Sequence, residues 1–249
     1  MQVKSLLRYP GGKTRAVKIL SEFVPEGITE MASPFFGGGS FELSLASKGV
    51  EVHGSDIYKP LVMFWDRLMN NPNMLYDAVK KLHPMDLREF NTLKATLHGL
   101  SRTKQAAAFY ALNRSSFSGS TSSGGMSKGH PRFNEASIDR IKKWKCDNLS
   151  IENKSFEHFI PEHKDKFIYL DPPYDISNFL YGDNGSTHKG FDHYKLREVL
   201  DECDSWMMSY NDNQYIRDLY RDFEIVPLEW KYGMNASKKS DEILILNNI

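Results

Sequence analysis

Cysteine is scarce in this chain. Cys146 and Cys203 are the only two among 249 residues, with no CxxC pair and no disulfide framework. No metal-ligand set stands out. No run approaches the ~20 apolar residues of a membrane-spanning helix. The start, Met1-Gln2-Val3-Lys4-Ser5, leads straight into patterned sequence without a secretory apolar core. Net charge is also missing, with 32 Lys+Arg against 32 Asp+Glu, which argues against a protein that coats nucleic acid indiscriminately. Two nucleotide motifs are incomplete. Gly37-x-Gly39 is followed by Glu42 where a dinucleotide fingerprint wants its third glycine, and Gly12-Lys13-Thr14 ends like a P-loop whose first glycine position holds Leu7. These absences leave a reduced α/β protein of the cytoplasm, or of a host-cell interior if the gene is viral or phage-borne, with no membrane partner and no phosphate cradle for NAD or ATP.

What is present begins with Asp171-Pro172-Pro173-Tyr174. It follows Phe167-Ile168-Tyr169-Leu170, a run that reads as a buried strand, so the tetrapeptide falls where strands of an open α/β sheet end and bind ligands. Each proline holds the residue before it extended. Neither proline has an N–H, so the turn offers acceptors: the Asp171 carboxylate and the Pro172 carbonyl. Two acceptors beside an aromatic ring suit a planar group bearing an NH2, such as a nucleobase amine. The plainer reading is a strand-to-loop turn with a solvated acid.

The chain around it alternates strands and helices. Residues 16–24 are patterned as a helix after the Pro10-Gly11-Gly12 turn. A short strand at 30–33 runs into Phe35-Phe36-Gly37-Gly38-Gly39-Ser40, a helix follows, and a strand at 50–54 ends at Asp56. The glycines permit close backbone approach to a ligand, and an acid such as Asp56 in that place commonly takes ribose hydroxyls, or simply caps a helix. Helical periodicity fills 61–112. From Asn113 the Ser/Gly-rich stretch excludes regular helix and predicts a hairpin or loop at 113–135. Strands then return at 149–153, 167–170, 205–210, 224–230 and 242–246, with a helix at 195–202 and an antiparallel hairpin joining the last two. No internal repeat is visible. Charge is uneven: residues 102–145 carry nine Lys/Arg against Glu135 and Asp139, an excess that reads as a footprint for phosphates or as a solvated helical face.

Six segments in order carry a resemblance: Leu7-Arg8-Tyr9-Pro10-Gly11-Gly12-Lys13, Pro34 to Ser40, Asp56, Asn113-Arg114 through Phe117-Ser118-Gly119, Asp171 to Tyr174, and Asp241-Glu242-Ile243-Leu244-Ile245. Over nearly its full length the chain resembles the Dam-type (alpha group) DNA adenine-N6 methyltransferases. The resemblance implies a class I S-adenosylmethionine-dependent methyltransferase fold, a mostly parallel seven-stranded sheet with one antiparallel strand. It implies a catalytic domain from 1–60 and 148–249 and a mainly helical target-recognition insertion at 61–147. It places Tyr9 and Lys13 at the methionine end of S-adenosylmethionine, with Phe35, Gly37 and Gly39 forming the pocket, Asp56 on the ribose and Asp171 bordering the cofactor. Phe156 is similar to the residue that packs on the cofactor adenine, although a core aromatic reads equally well there.

Catalysis falls to Asp171, Pro172 and Tyr174. The two acceptors localise the amine lone pair, Tyr174 stacks on the base, and direct in-line transfer proceeds without a covalent enzyme intermediate. The target base is flipped out of double-stranded DNA. Asn113, Arg114, Phe117, Ser118 and Arg132 are the expected DNA contacts. The implied protein is a monomer or weak dimer, in company with a cognate restriction endonuclease that it does not touch. Two departures stand out: family members carry an acid just before the Pro-Phe of the glycine motif, where this chain has Ser33, and an Asn after Phe117, where it has Ser118. The competing readings are a cytosine-N4 methyltransferase, which would use the same acceptors, a non-catalytic DNA-binding relative, and, less well supported, an RNA or protein-glutamine methyltransferase or an ATP-using enzyme.

Overall fold

The computed structural model describes residues 3–9, 11–127, 132–174, 191–228 and 242–249. Seven strands form one sheet: β1 (Glu30–Ser33), β2 (Glu51–Ser55), β3 (Leu149–Glu152), β4 (Phe167–Leu170), β5 (Ser205–Asn211), β6 (Glu224–Leu228) and β7 (Glu242–Asn247). Their order is β3-β2-β1-β4-β5-β7-β6. The first five pair in parallel, and β7 runs antiparallel to both β5 and β6. This is the mostly parallel sheet with one reversed strand that the resemblance implies. The predicted strands agree with it to within a residue or so, and the expected hairpin is the β6–β7 pair; residues 229 and 230 of the predicted sixth strand lie outside the described residues.

The helices are α1 (Val17–Leu20), α2 (Ser40–Ala46), α3 (Lys59–Asn70), α4 (Pro72–Lys80), α5 (Leu87–Thr96), α6 (Arg102–Ser115), α7 (Glu135–Lys143), α8 (Phe156–Phe159), α9 (His193–Leu200) and α10 (Gln214–Leu219). The predicted helix at 16–24 is shorter than expected: α1 is one turn, flanked by 3-10 turns at Lys13–Arg15 and Ser21–Phe23. Helical structure also runs past Asn113, to Ser115. Beyond it the Ser/Gly-rich chain folds into two 3-10 turns closed by an antiparallel bridge from Ser116 to Met126. Ser118 and Gly119 both take positive φ there, 53° and 79°, which no helix accommodates.

Successive strand residues separate into two hydrophobic clusters, as a period of two requires. Met31, Tyr169 and Met207 belong to one, and Ala32, Ile168, Leu170, Trp206 and Met208 to the other. Both sheet faces are therefore covered, as in parallel sheets generally. The first cluster also takes in Phe64, Leu75 and Phe109 of the helices between β2 and β3, so these helices share a core with the sheet. At its centre α6 is buried on every side from Gln105 to Asn113, and Tyr110 stacks on Phe64 at 5.4 Å.

Strand order positions the site. From β1 the chain goes outward to β2 and β3, then returns through β4 to β5 on the other side. The order reverses between β1 and β4, and such a switch point opens a crevice beyond the carboxyl ends of the strands. The glycine turn leaves β1, Asp56 follows β2 and Asp171 follows β4, so all three border that crevice.

Candidate active site

A cavity of about 510 Å³ fills the crevice, lined among others by Tyr9, Lys13, Phe35, Gly37, Gly39, Asp56, Phe156 and Asp171. The structure thus brings every expected cofactor residue to one place. Gly37 and Gly39 take positive φ, 49° and 64°, which glycine adopts without strain. The close approach they permit is to the protein itself. A Cβ on Gly38 would fall 2.7 Å from the Tyr9 Cβ, and one on Gly37 would fall 3.0 Å from the Tyr9 ring. The N-terminal motif is therefore seated directly on the glycine turn. The Trp65 indole donates to the Gly37 carbonyl at 3.1 Å and fixes it from below.

At one end of the cavity Phe35, Phe156 and Phe191 form a ring cluster with centroids 5.4 to 5.7 Å apart, apolar surface suited to a flat heterocycle. Asp56 stands beside it. Its carboxylate accepts from the Gly37 N–H at 3.0 Å and the Tyr58 N–H at 2.9 Å, and burial raises its pKa to about 6 against those two hydrogen bonds. It ties the glycine turn to the loop before α3; the α3 N-cap position belongs to Tyr58.

At the other end the charges converge. The Lys13 ammonium, on a side chain only 5 % exposed, donates to Asp171 Oδ1 at 2.7 Å and to the Tyr174 hydroxyl at 2.6 Å, and lies 3.8 Å from Glu242. Tyr174 in turn donates to Glu242 at 3.0 Å. Ser209 of β5 donates to Asp171 Oδ1 at 3.1 Å. Both of these contacts fall on Oδ1. Among the described residues no donor reaches Asp171 Oδ2 or the Pro172 carbonyl. The sequence placed Tyr174 against a base. Here one face of its ring is taken by Tyr210, at 5.5 Å and 25°, and Tyr210 donates to the Pro173 carbonyl at 3.0 Å. The turn is thereby anchored through Asp171 Oδ1 and the Pro173 carbonyl.

The lining suits a flat heterocycle over aromatic rings, hydroxyls at Asp56, and a zwitterionic tail near Lys13 and the carboxylates. The same match reaches across the chain, because residues 9–234 fit the family model of the D12 class N6 adenine-specific DNA methyltransferases. The chain belongs to that family. It is an adenine-specific DNA methyltransferase, and S-adenosylmethionine is its methyl donor. Relatives span the whole chain at low identity. Type II methyltransferase M1.LlaDCHI of Lactococcus lactis subsp. cremoris is 24 % identical, covering 99 % of this chain and 96 % of its own. M.CviBI of Paramecium bursaria Chlorella virus NC1A is 24 % identical, over 97 % and 96 %. M.MjaIII of Methanocaldococcus jannaschii is 27 % identical, over 99 % and 100 %.

The expected DNA contacts of this methyltransferase separate on inspection. Asn113 is fully buried, a correction to its place among them. Its side chain accepts from the Arg8 N–H at 2.9 Å and donates to the carbonyls of Arg8 and Gly119, which engages its amide on both sides. Arg114 is partly buried, donating to the carbonyls of Arg132 and Leu6, and desolvation lowers its pKa. Arg140 and Trp144 donate to Ser5 and Lys4 in the same manner. These side chains lace the N-terminal segment to the helical region. Ser118 and Arg132 instead line a second cleft of about 570 Å³, with Arg8 and Arg15, which shares Tyr9, Gly12, Gly38 and Ser40 with the first cavity. Phe117 beside it is 71 % exposed.

Sequence reasoning missed Glu42, Phe191, Ser209 and the role of Glu242. Glu42 carried a signal: it is the one charged residue in Phe41-Glu42-Leu43-Ser44-Leu45-Ala46, a helix buried throughout.

Proposed function

We propose that this methyltransferase acts on an adenine flipped out of double-stranded DNA, with Asp171 Oδ2 and the Pro172 carbonyl accepting the two N–H bonds of the exocyclic amine. The observation that supports this is the pair of acceptors at the carboxyl end of β4 that no donor among the described residues reaches, beside an Asp171 Oδ1 held by Lys13 and Ser209. S-adenosylmethionine, when bound, supplies a methyl group on a positively charged sulfur. The chain's own residues supply position. Accepting both N–H bonds draws the nitrogen lone pair out of conjugation and aims it into the cavity. The Asp171 carboxylate also faces the proton that the amine must lose. Lys13 and Ser209 keep that carboxylate from turning, so little reorganisation is needed as charge develops. Tyr210 backs Tyr174 and helps hold the turn in place.

A base stacked in a duplex cannot enter this crevice, which supports flipping. Arg8, Arg15 and Arg132 in the adjoining cleft hold backbone phosphates, while Phe117 and Ser118 at its rim meet the DNA within the 61–147 recognition segment. The enzyme works inside the cell that contains its DNA, as a monomer or weak dimer. A cognate restriction endonuclease would share its target without touching it.

The test is Asp171→Ala. Methyl transfer to DNA should fall to background, more than roughly a thousandfold, while S-adenosylmethionine affinity by calorimetry stays within a few-fold. Turnover near wild type would overturn the assignment.

A further inference from the structure

The acid that family members carry before the Pro-Phe of the glycine motif is Ser33 in this chain, and the structure shows what faces it. Ser33 ends β1, fully buried, and its hydroxyl donates to Glu42 Oε1 at 2.9 Å. Glu42 lies in the first turn of α2, 3 % exposed, yet it borders the main cavity. Packing does not call for a carboxylate there, because Phe41, Leu43, Leu45 and Ala46 around it are apolar and buried. A backbone N–H at the start of α2 and the Ser33 hydroxyl favour its charged form, but burial outweighs both. Its charged neighbours are Asp171 beyond β4, which repels it, and Lys13 in the N-terminal turn. The Lys13 ammonium is engaged by Asp171, Tyr174 and Glu242, and among the described residues it makes no ion pair with Glu42. Glu42 is thus a buried acid on the cavity wall, and the Lys13 charge near it is committed elsewhere.

We propose that Glu42 receives the α-ammonium of the methionine part of S-adenosylmethionine, in place of the acid absent at position 33. The inference rests on the reading that the cavity holds this cofactor. In this arrangement the carboxylate reaches the tail from helix α2 instead of strand β1, and Ser33 becomes the hydroxyl that orients it. Burial raises the Glu42 pKa to about 7, and an arriving ammonium favours its charged form.

Two ligands isolate the tail: S-adenosylhomocysteine, which carries the amino-acid group, and 5′-methylthioadenosine, which has the same thioether nucleoside without it. Calorimetry should show Glu42→Gln binding S-adenosylhomocysteine at least tenfold more weakly than wild type. Binding of 5′-methylthioadenosine should change by less than twofold. Adding Ser33→Glu to Glu42→Gln should restore most of the loss. Equal weakening of both ligands would make Glu42 a packing residue, and no weakening of either would leave it without a role; each overturns the proposal. A wild-type protein that binds neither ligand is a separate failure, of the cofactor reading itself.

Discussion

At the carboxyl ends of the central strands Lys13 is ringed by Asp171, Tyr174 and Glu242, and the carboxylate of Asp56 is met by two N–H groups. Around the corner, in the adjoining cleft, Arg8, Arg15 and Arg132 line the wall, and among the described residues no carboxylate pairs with any of them. There the cations disturb one another: after burial, the Arg132 charge is the next cause lowering the pKa of Arg8. A wall whose central cation is already matched by carboxylates holds a small ligand by shape, fixed dipoles and the acids it still presents. A wall left positive is complementary to a polyanion, whose binding releases counterions. The two regions should therefore answer to different variables, the crevice to pH and the arginine cleft to salt.

The pH dependence has the larger expected effect. Burial raises Glu42 to about 7 and Asp56 to about 6. With raised folded-state values, the native protein keeps protons that the unfolded chain has already released. The unfolding free energy of the cofactor-free protein therefore falls as pH rises from about 4.5 to about 7. For Glu42 alone the loss is up to about 3 kcal/mol. Urea unfolding at about pH 5 and about pH 7.5 checks it: Glu42→Gln should flatten the wild-type decline by an amount of that order. The same decline in both proteins would mean that Glu42 is ionised at no cost, and the contrast between the two walls would weaken.

What was legible in the sequence follows from the range of the signal. The strands showed because both sheet faces are covered, so β4 and Ile243–Leu246 of β7 are unbroken apolar runs. Asp171 showed because it follows such a run and precedes two prolines. Glu42 did not, because its meaning depends on Ser33 and on a cavity assembled from several separate segments. Asn113 was misread for a related reason. A polar residue at the edge of a basic loop reads as a surface contact, and only the fold brings Arg8, 105 positions earlier, onto its amide. Glu242 was visible as part of a motif, yet its partners Lys13 and Tyr174 are brought to it by β7 running back beside β5.

The cleft yields the next test. Replacing Arg8 and Arg132 together with Ala removes two candidate phosphate contacts. DNA affinity should fall roughly thirtyfold, about 2 kcal/mol, and the slope of log affinity against log salt should shrink by about 2. S-adenosylhomocysteine binding should stay unchanged. A changed affinity with an unchanged salt slope would mean that these arginines shape the loop and do not meet phosphates. Loss of cofactor binding as well would mean that the two walls are one unit.

Glu242 tests the matched wall from its far side, with a smaller effect. Its carboxylate accepts from the Tyr174 hydroxyl and faces Lys13, so it touches neither acceptor offered to the base. Glu242→Gln keeps an acceptor for Tyr174 and removes the charge, which weakens a charge-assisted hydrogen bond to a neutral one. The expected cost is about 1 kcal/mol, read as roughly a fivefold lower single-turnover rate, with DNA and cofactor affinities within twofold. That split is what a positioning residue produces: Lys13 and Tyr174 stay in place, but Lys13 holds Asp171 less firmly as charge builds on the base. A loss appearing in DNA affinity instead would move Glu242 out of the catalytic wall, and would give the charged network in the crevice a part in binding the polymer.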